Sequence, residues 1–358
     1  MKKPYSSISM QECIKLISSV GDRISVLVQG EMGCGKSSIL KELALLHPDH
    51  VPCYVDITTK DVGDFLIPQI RTLDGTPVCS FIPNEEFGLH LGKPIILMFD
   101  ELGKGSKAVQ NACLTAIQER KLGIHKFPEG SIVFATTNLS VEGIGDSILP
   151  HSRNRMCVVK MRKHTGEEWR WNYAQNAGID PVVIATVIEY PAMTASFEDY
   201  ERPEMNEYIH DPRVPRAAFV TFRSLEKASF ILQSCRDMPE DVLTHALFGV
   251  IGERATMDMM NILKLANTMP SWAEIINNPT TTVVPHNGAS TCLIVSKALS
   301  NIESTTLDSW MTYMARLPKE AQALFAMSCM SAKSPKRSIA SSNRQFTEWA
   351  VNNGYLFN

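Results

Sequence analysis

The sequence predicts an α/β fold in which helices cover both faces of a parallel sheet, followed by a second part made of helices. Two observations lead to this prediction. Short apolar stretches alternate with amphipathic ones up to residue 162. The short apolar stretches at residues 52–57 and 95–99 are continuous rather than alternating, as expected for strands buried on both faces of a parallel sheet. Beyond residue 162, strand-like stretches become rare and helical spacing dominates, notably over residues 167–178 and 224–265.

The first predicted elements surround a turn rich in glycine. Ser9 and Glu12 form a capping box ahead of a helix whose apolar face is Met10, Cys13, Ile14 and Ile17. A strand is predicted over residues 24–29 and a glycine-rich turn over residues 30–36. The helix after this turn has one apolar side, which consists of Ile39, Leu40, Leu43 and Ala44. A strand, a glycine loop and a helix in this order open an α/β unit.

The later elements of the sheet are separated by two insertions. Further strands are predicted over residues 52–57, 95–99, 131–136 and 156–161. Residues 71–83 are rich in turn formers and predict an inserted loop or hairpin. A helix starting near Ser106 has an apolar face made of Val109, Ala112, Cys113, Ala116 and Ile117. Residues 121–130 predict a second hairpin.

The composition excludes several classes of protein. Hydrophobic residues make up 44% of the 358 residues and charged residues 20%, which excludes a disordered chain. The net charge of -3 gives no general attraction to nucleic acid or anionic lipid. No apolar run approaches the roughly 18 residues of a membrane span, and the amino terminus lacks the apolar stretch of a secretion signal. The nine scattered cysteines fit reduced thiols. We therefore expect a cytoplasmic protein without a membrane segment.

Residues 30–37 match the phosphate-loop pattern G-x-x-x-x-G-K-[ST] at every position. In this pattern glycines let consecutive backbone N–H groups turn inward around phosphate oxygens at the start of a helix. Lys36 is expected to reach the β and γ phosphates, and the Ser37 hydroxyl to ligate Mg²⁺. The predicted nucleotide-binding residues of the loop are Gly30, Glu31, Met32, Gly33, Cys34, Gly35, Lys36, Ser37 and Ser38.

Two acids and an asparagine follow later strands of the predicted sheet. Asp100 and Glu101 end the strand at residues 95–99, and Asn138 follows the strand at residues 131–136. Beside a phosphate loop, Asp100 is expected to hold Mg²⁺ through its water shell and Glu101 to polarise the attacking water. If the two strands are parallel neighbours, Asn138 lies near the γ phosphate and the same water. The sequence therefore predicts an ATP site that uses Mg²⁺.

Together these features resemble the AAA+ ATPases. Four further sequence segments resemble the MoxR-like branch of this family, which is related to the dynein-type modules. The segments that resemble this branch are residues 99–102, 109–114, 119–123 and 127–130. In that branch the hairpin before the asparagine strand is an insertion, which residues 121–130 match. The resemblance implies ATP hydrolysis and three regions. They are an AAA+ P-loop nucleotide-binding domain over residues 1–163, a helical lid over 164–270 and a helical C-terminal extension over 271–358.

The resemblance also implies arginines that complete each ATP site. Arg155, directly ahead of the fifth strand, is the first candidate for the finger that enters a neighbouring subunit's site, and Arg153 is its rival. Either could instead be a surface charge. Arg223 resembles the sensor 2 arginine of the lid, although Phe222 stands where the family more often has proline. Arg216 is the alternative to Arg223.

A finger from the neighbouring subunit implies a homo-oligomeric ring, most often a hexamer in this family. Such rings remodel or activate a protein client as chaperones do, commonly one with a von Willebrand factor A domain. Phe65 lies near the position of a central-pore loop in such rings, with core packing as its other explanation. Two alternative functions stay open. A nucleic-acid motor or loader is disfavoured by the net charge, and an ATP-gated scaffold with slow hydrolysis is disfavoured by the pair Asp100 and Glu101.

Overall fold

The computed structural model describes residues 7–139, 148, 150–175, 177–331 and 334–357. The chain divides into two compact units. The first is Met1–His164 with Asp211–Val214, and the second is Thr165–His210 with Pro215–Asn358. The three-domain division with boundaries at residues 163 and 270 stays a prediction.

A parallel sheet forms the centre of the first unit. The strands of the described residues are β1 (Val26–Gln29), β2 (Val51–Asp56), β3 (Leu66–Leu73), β4 (Thr76–Pro83), β5 (Ile95–Asp100), β6 (Lys121–Leu122), β7 (His125–Lys126), β8 (Ile132–Thr137) and β9 (Cys157–Lys160). Five of them pair in parallel in the order β2-β5-β8-β1-β9. The predicted α/β class with a parallel sheet is confirmed.

Helices flank this sheet and make up most of the second unit. In the described residues they are α1 (Met10–Val20), α2 (Ser38–Leu46), α3 (Lys107–Glu119), α4 (Pro150–Arg153), α5 (Gly166–Trp169), α6 (Pro181–Glu189), α7 (Phe222–Ser234), α8 (Glu240–Ile251), α9 (Glu253–Thr268), α10 (Trp272–Asn277), α11 (Gly288–Asn301), α12 (Leu307–Met314), α13 (Lys319–Met330), α14 (Arg337–Ser342) and α15 (Arg344–Asn352). A π-helical turn, Arg170–Ala174, follows α5. None of the helices in the described part of the chain combines the length and apolar character that crossing a bilayer requires.

Side chains of the central strands enter two separate hydrophobic cores. Val26 and Val28 of β1 pack in one core with the apolar faces of α1 and α2, whereas Leu27 packs in the other with α3. This alternation follows from the strand backbone, which directs successive side chains to opposite faces. Helices therefore cover both faces of the sheet, as predicted.

The prediction of burial on both faces is wrong for the strand at residues 52–57. This strand, β2, lies at an edge of the sheet and pairs with β5. Its side chains alternate, with Cys53 and Val55 buried and Pro52 and Tyr54 exposed. Helices packed over the middle of a sheet cover an edge strand less completely. One row of its side chains therefore stays accessible to solvent and to groups at the end of β5.

Two hairpins lie outside the parallel sheet. β3 and β4 pair in antiparallel fashion, so the predicted insertion at residues 71–83 is a hairpin that begins earlier, at Leu66. Asp74 and Gly75 join the two strands with positive φ angles of 49° and 80°, as a two-residue hairpin turn requires. β6 and β7 form the second predicted hairpin. The two hairpins touch where His125 Nε2 lies 2.7 Å from the Phe81 carbonyl oxygen.

One hydrophobic core extends through the second unit. It includes Trp169 and Leu225, and also Trp310 and Phe346 from the last third of the chain. Helices on both sides of residue 270 contribute to this core. The regions predicted as lid and C-terminal extension are thus packed against each other.

Candidate nucleotide site

The glycine-rich loop between β1 and α2 has the backbone that phosphate binding requires. Gly33 and Gly35 have φ angles of 69° and 96°, in a region that residues with a Cβ rarely adopt. A Cβ added at Gly30 would lie 3.1 Å from Cys34 Sγ and 3.3 Å from the Met161 carbonyl oxygen. The positive φ angles require glycine at residues 33 and 35, and the close approach of Cys34 and Met161 favours glycine at residue 30.

The Lys36 side chain folds back over this loop and is 6% exposed. Its Nζ donates hydrogen bonds to the carbonyl oxygens of Gly30 and Glu31, both at 2.9 Å. A third bond, of 2.7 Å, goes to Asn138 Oδ1. These three acceptors are neutral, and an ammonium group has three protons to donate. Because a buried charge is costly without a counter-charge, the site favours the arrival of an anion.

The Asp100 carboxylate accepts hydrogen bonds from four groups. Oδ1 accepts from the Thr136 hydroxyl and, at 3.1 Å, from the Glu101 N–H. Oδ2 accepts from the Ser37 hydroxyl at 3.2 Å and from the Tyr54 hydroxyl at 2.9 Å. The phosphate loop, β2 and β8 each contribute one hydroxyl. The carboxylate is therefore fixed in orientation next to Ser37.

Tyr54 was not among the residues predicted for the site. Its hydroxyl lies against Asp100, and burial of this group raises the phenol pKa, with further contributions from the hydrogen bond to Asp100 and from its charge. A phenol with a raised pKa stays protonated at neutral pH. Tyr54 is therefore the donor in this hydrogen bond.

Glu101 has an uncommon backbone conformation and two polar partners. Its φ and ψ angles are 55° and 37°, in the left-handed region that few residues other than glycine adopt. Its carboxylate accepts a 2.9 Å hydrogen bond from Asn138 Nδ2 and lies 2.9 Å from Lys104 Nζ. The side chain is 24% exposed, so water has access to it. Lys104 was also missed by the sequence prediction.

Asn138 connects the phosphate loop with Glu101. Its Oδ1 accepts from Lys36, and its Nδ2 donates to Glu101. β8 lies between β1 and β5 and runs parallel to both, which confirms that the strands ending in Asp100 and Asn138 are parallel neighbours. The sheet thus brings Lys36, Asn138 and Glu101 into one hydrogen-bonded chain.

The remaining predicted loop residues differ in burial. Glu31 and Cys34 are buried, whereas Met32 is partly exposed. Ser38 is the first residue of α2. Phe65 is buried and its ring centre lies 5.6 Å from that of Phe87. Packing in the hydrophobic core therefore accounts for a phenylalanine at residue 65.

The predicted arginines are exposed residues, Arg153 and Arg155 in the first unit and Arg223 in the second. Arg153 is the last residue of α4, Arg155 lies in the turn before β9, and both are exposed. Among the described residues, no hydrogen bond or ion pair joins either side chain to the site residues above. In the second unit, Arg223 is exposed in the first turn of α7. Their roles stay predictions.

Arg216, the alternative to Arg223, has partners within the second unit. Its guanidinium donates hydrogen bonds to the carbonyl oxygens of Asn206, Ile209 and Pro203 at 2.8, 2.7 and 3.1 Å. These bonds hold a loop of the second unit. They give Arg216 a structural role, which favours Arg223 as the candidate for nucleotide contact.

No family model and no curated protein matches the chain. Similar solved structures include the Thermotoga maritima RuvB Holliday junction branch migration motor, at 16% identity over 71% of this chain and 68% of that chain, with a TM-score of 0.35. NtrX from Brucella abortus in complex with ADP is 11% identical over 98% and 68%, with a TM-score of 0.40. Hsp104 with ATPγS and FITC casein is 16% identical over 73% and 46%, with a TM-score of 0.34. Likeness at this level carries no argument about activity, so the function has to be argued from the site.

Proposed function

We propose that the chain is an AAA+ ring ATPase of the MoxR type, which hydrolyses ATP to ADP and phosphate. The observation that carries this proposal is the hydrogen-bonded chain from Lys36 through Asn138 to Glu101, beside the pair Ser37 and Asp100. One edge of the sheet thus holds a cation for phosphate, a carboxylate for a metal ion and a carboxylate for water. This combination suits transfer of a phosphoryl group to water.

The phosphate loop binds the phosphates of ATP in this proposal. Backbone N–H groups at the start of α2 attract the phosphates, and Lys36 exchanges its neutral acceptors for phosphate oxygens. Hydrogen bonds between charged partners are roughly twice as strong as neutral ones, so this exchange is favourable. When Lys36 leaves Asn138, the Oδ1 atom becomes available to accept a hydrogen bond from the attacking water.

Ser37 and Asp100 form a donor set that fits Mg²⁺. Their oxygens lie 3.2 Å apart, and Mg²⁺ prefers hydroxyl and carboxylate oxygens together with substrate phosphates and water. When bound, Mg²⁺ would neutralise negative charge on the β and γ phosphates. The four hydrogen bonds to Asp100 keep its carboxylate oriented for this role.

Glu101 is the base in the proposed reaction. Its carboxylate accepts a proton from the water as the water oxygen bonds to the γ phosphorus and the bond to the β–γ bridging oxygen breaks. Asn138 already contacts Glu101 and holds the carboxylate in place. Lys104 Nζ also contacts this carboxylate, at 2.9 Å.

A homo-oligomeric ring completes the proposal. A finger arginine in phosphoryl transfer contributes about 10³- to 10⁵-fold in rate, and Arg155, or else Arg153, is exposed and available to reach a neighbouring subunit. The ring would be a hexamer that acts as a chaperone on a protein client, for which a von Willebrand factor A domain protein is the proposed class. Arg223 would couple the second unit to the nucleotide state.

Mixing two inactive variants tests the ring and the activity together. Arg155→Ala lacks the finger but keeps Glu101, and Glu101→Gln lacks the base but keeps the finger. In random mixed rings about a quarter of the interfaces combine both intact groups, because each site uses one residue from each neighbour. ATP turnover should therefore return to roughly that fraction of wild type in a one-to-one mixture. Repeating the mixing experiment with Arg153→Ala in place of Arg155→Ala shows which of the two arginines is the finger.

Dilution gives an independent readout of the same proposal. Wild-type turnover per protomer should fall as dilution separates the ring, since a lone protomer lacks the finger. A mixture no more active than its separate components, with turnover per protomer that is constant on dilution, would contradict the trans arginine.

A further inference from the structure

Tyr54 extends from the edge strand β2 to the end of the neighbouring strand β5. In the register of the two strands, Tyr54 is level with Met98, and Asp56 is level with Asp100. Along the paired strands, the Tyr54 backbone therefore lies two residues before the level of Asp100. The length of the tyrosine side chain brings its hydroxyl within 2.9 Å of Asp100 Oδ2. Tyr54 is 48% exposed, so ring burial contributes little to this placement.

The Tyr54 hydroxyl acts on the carboxylate oxygen that faces the phosphate loop. Oδ2 accepts from Tyr54 and Ser37, and the bond to Ser37 is the longer of the two at 3.2 Å. Oδ1 is held separately by Thr136 and by the Glu101 N–H. Without the phenol hydroxyl, the longer bond alone would hold Oδ2. The carboxylate would then rotate more freely about its Cβ–Cγ bond.

We propose that Tyr54 is a positioning residue whose hydroxyl keeps Asp100 Oδ2 directed toward Ser37 and thereby sets how strongly this pair binds Mg²⁺. This inference rests on the proposed function and deepens it. Loss of an outer hydrogen bond to a ligating carboxylate typically weakens metal binding or activity by about 10- to 100-fold. Since three other groups still hold Asp100, the effect of losing the Tyr54 hydroxyl lies at the lower end of this range.

Tyr54→Phe tests this proposal because it removes one oxygen atom and keeps the ring. ATP turnover is measured in a Mg²⁺ titration at saturating ATP, and ATP binding is measured separately with excess EDTA. The Mg²⁺ concentration for half-maximal turnover is expected to rise about tenfold, while ATP affinity in EDTA stays unchanged. Because the ring is exposed and retained, the thermal unfolding midpoint should stay near that of wild type.

Tyr173→Phe is the matched control. Tyr173 is 41% exposed and lies in the second unit, where burial, together with the neighbouring Glu226 carboxylate, raises the pKa of its phenol, as happens at Tyr54. This control should leave the Mg²⁺ midpoint unchanged. A Tyr54→Phe protein whose Mg²⁺ midpoint equals that of a Mg²⁺-dependent wild type would overturn the inference and leave the proposed function standing. A wild type without Mg²⁺-dependent ATP turnover would remove the proposed function and this inference with it.

A double-mutant cycle separates positioning from a general structural effect. If Tyr54 acts through the carboxylate, Tyr54→Phe should add no further loss of Mg²⁺-dependent ATP binding in an Asp100→Asn background. Binding of a fluorescent ATP analogue at increasing Mg²⁺ measures this loss. Equal effects of Tyr54→Phe in the wild-type and Asp100→Asn backgrounds would show that the hydroxyl acts by another route, and the inference would fail.

Discussion

Lys36→Ala is expected to lower ATP affinity by about 10²- to 10⁴-fold, which abolishes binding at ordinary concentrations. The physical reason is that a buried ammonium group loses about two charge-assisted hydrogen bonds to phosphate, each contributing about 1.5–3 kcal/mol. Isothermal titration calorimetry with a nonhydrolysable ATP analogue and Mg²⁺ measures the affinity directly.

Lys41→Ala is the control for this experiment. Lys41 is an exposed lysine on the same helix, α2, so its removal changes net charge equally and should leave affinity within about twofold, because exposed charges are screened. Lys36 also donates hydrogen bonds to three acceptors within the protein. Thermal unfolding of Lys36→Ala is therefore measured alongside, to show that the folded state persists. Tight ATP binding by a folded Lys36→Ala protein would refute the phosphate-loop assignment.

Glu101→Gln is expected to lower ATP turnover by about 10²- to 10⁴-fold, the range that a positioned general base contributes. ATP binding should be retained, because Glu101 contacts Asn138 and Lys104 and is assigned to the water rather than to the phosphates. The glutamine side chain can still accept the hydrogen bond from Asn138. Single-turnover hydrolysis and ATP affinity are measured on the same preparation.

Glu86→Gln provides a matched comparison for Glu101→Gln. Glu86 also pairs with a lysine, Lys60, and its side chain is 40% exposed. Its replacement should leave turnover unchanged, since loss of a surface ion pair costs only about 0–1 kcal/mol of stability. Undiminished hydrolysis in Glu101→Gln would assign the base to another residue. The ATP-bound Glu101→Gln protein is also the form in which a protein client should be retained in a pull-down.

Much of the fold follows from local sequence patterns. The capping box at Ser9 and Glu12 is present, with hydrogen bonds in both directions, and the apolar faces of α1 and α2 are the buried ones. Periodicity could not show the incomplete cover of β2, because edge position is decided by the order of strands in the sheet. That order depends on contacts between segments distant in sequence.

The sequence allowed the contacts of the candidate site to be predicted for those residues that lie at the ends of strands. Asp100 and Asn138 each follow an apolar strand, and parallel pairing brings such ends together. Tyr54 was missed because its contact with Asp100 depends on the register of two strands, and the two residues are 46 positions apart in sequence. Lys104 follows Glu101 within a single 3₁₀ turn, and the sequence around it carries no helical periodicity. The available signal for Tyr54 was a hydroxyl-bearing side chain inside a strand that was predicted to be buried on both faces.

A crystal structure with Mg²⁺ and a nonhydrolysable ATP analogue would show whether the glycine-rich loop binds the triphosphate. We expect the triphosphate to lie against the backbone of residues 32–37, with Lys36 Nζ moved from Asn138 Oδ1 to phosphate oxygens. We also expect Mg²⁺ on the side of the triphosphate that faces Ser37 and Asp100. A triphosphate bound elsewhere, or Lys36 still bonded to Asn138 while nucleotide fills the loop, would contradict the phosphate-loop assignment.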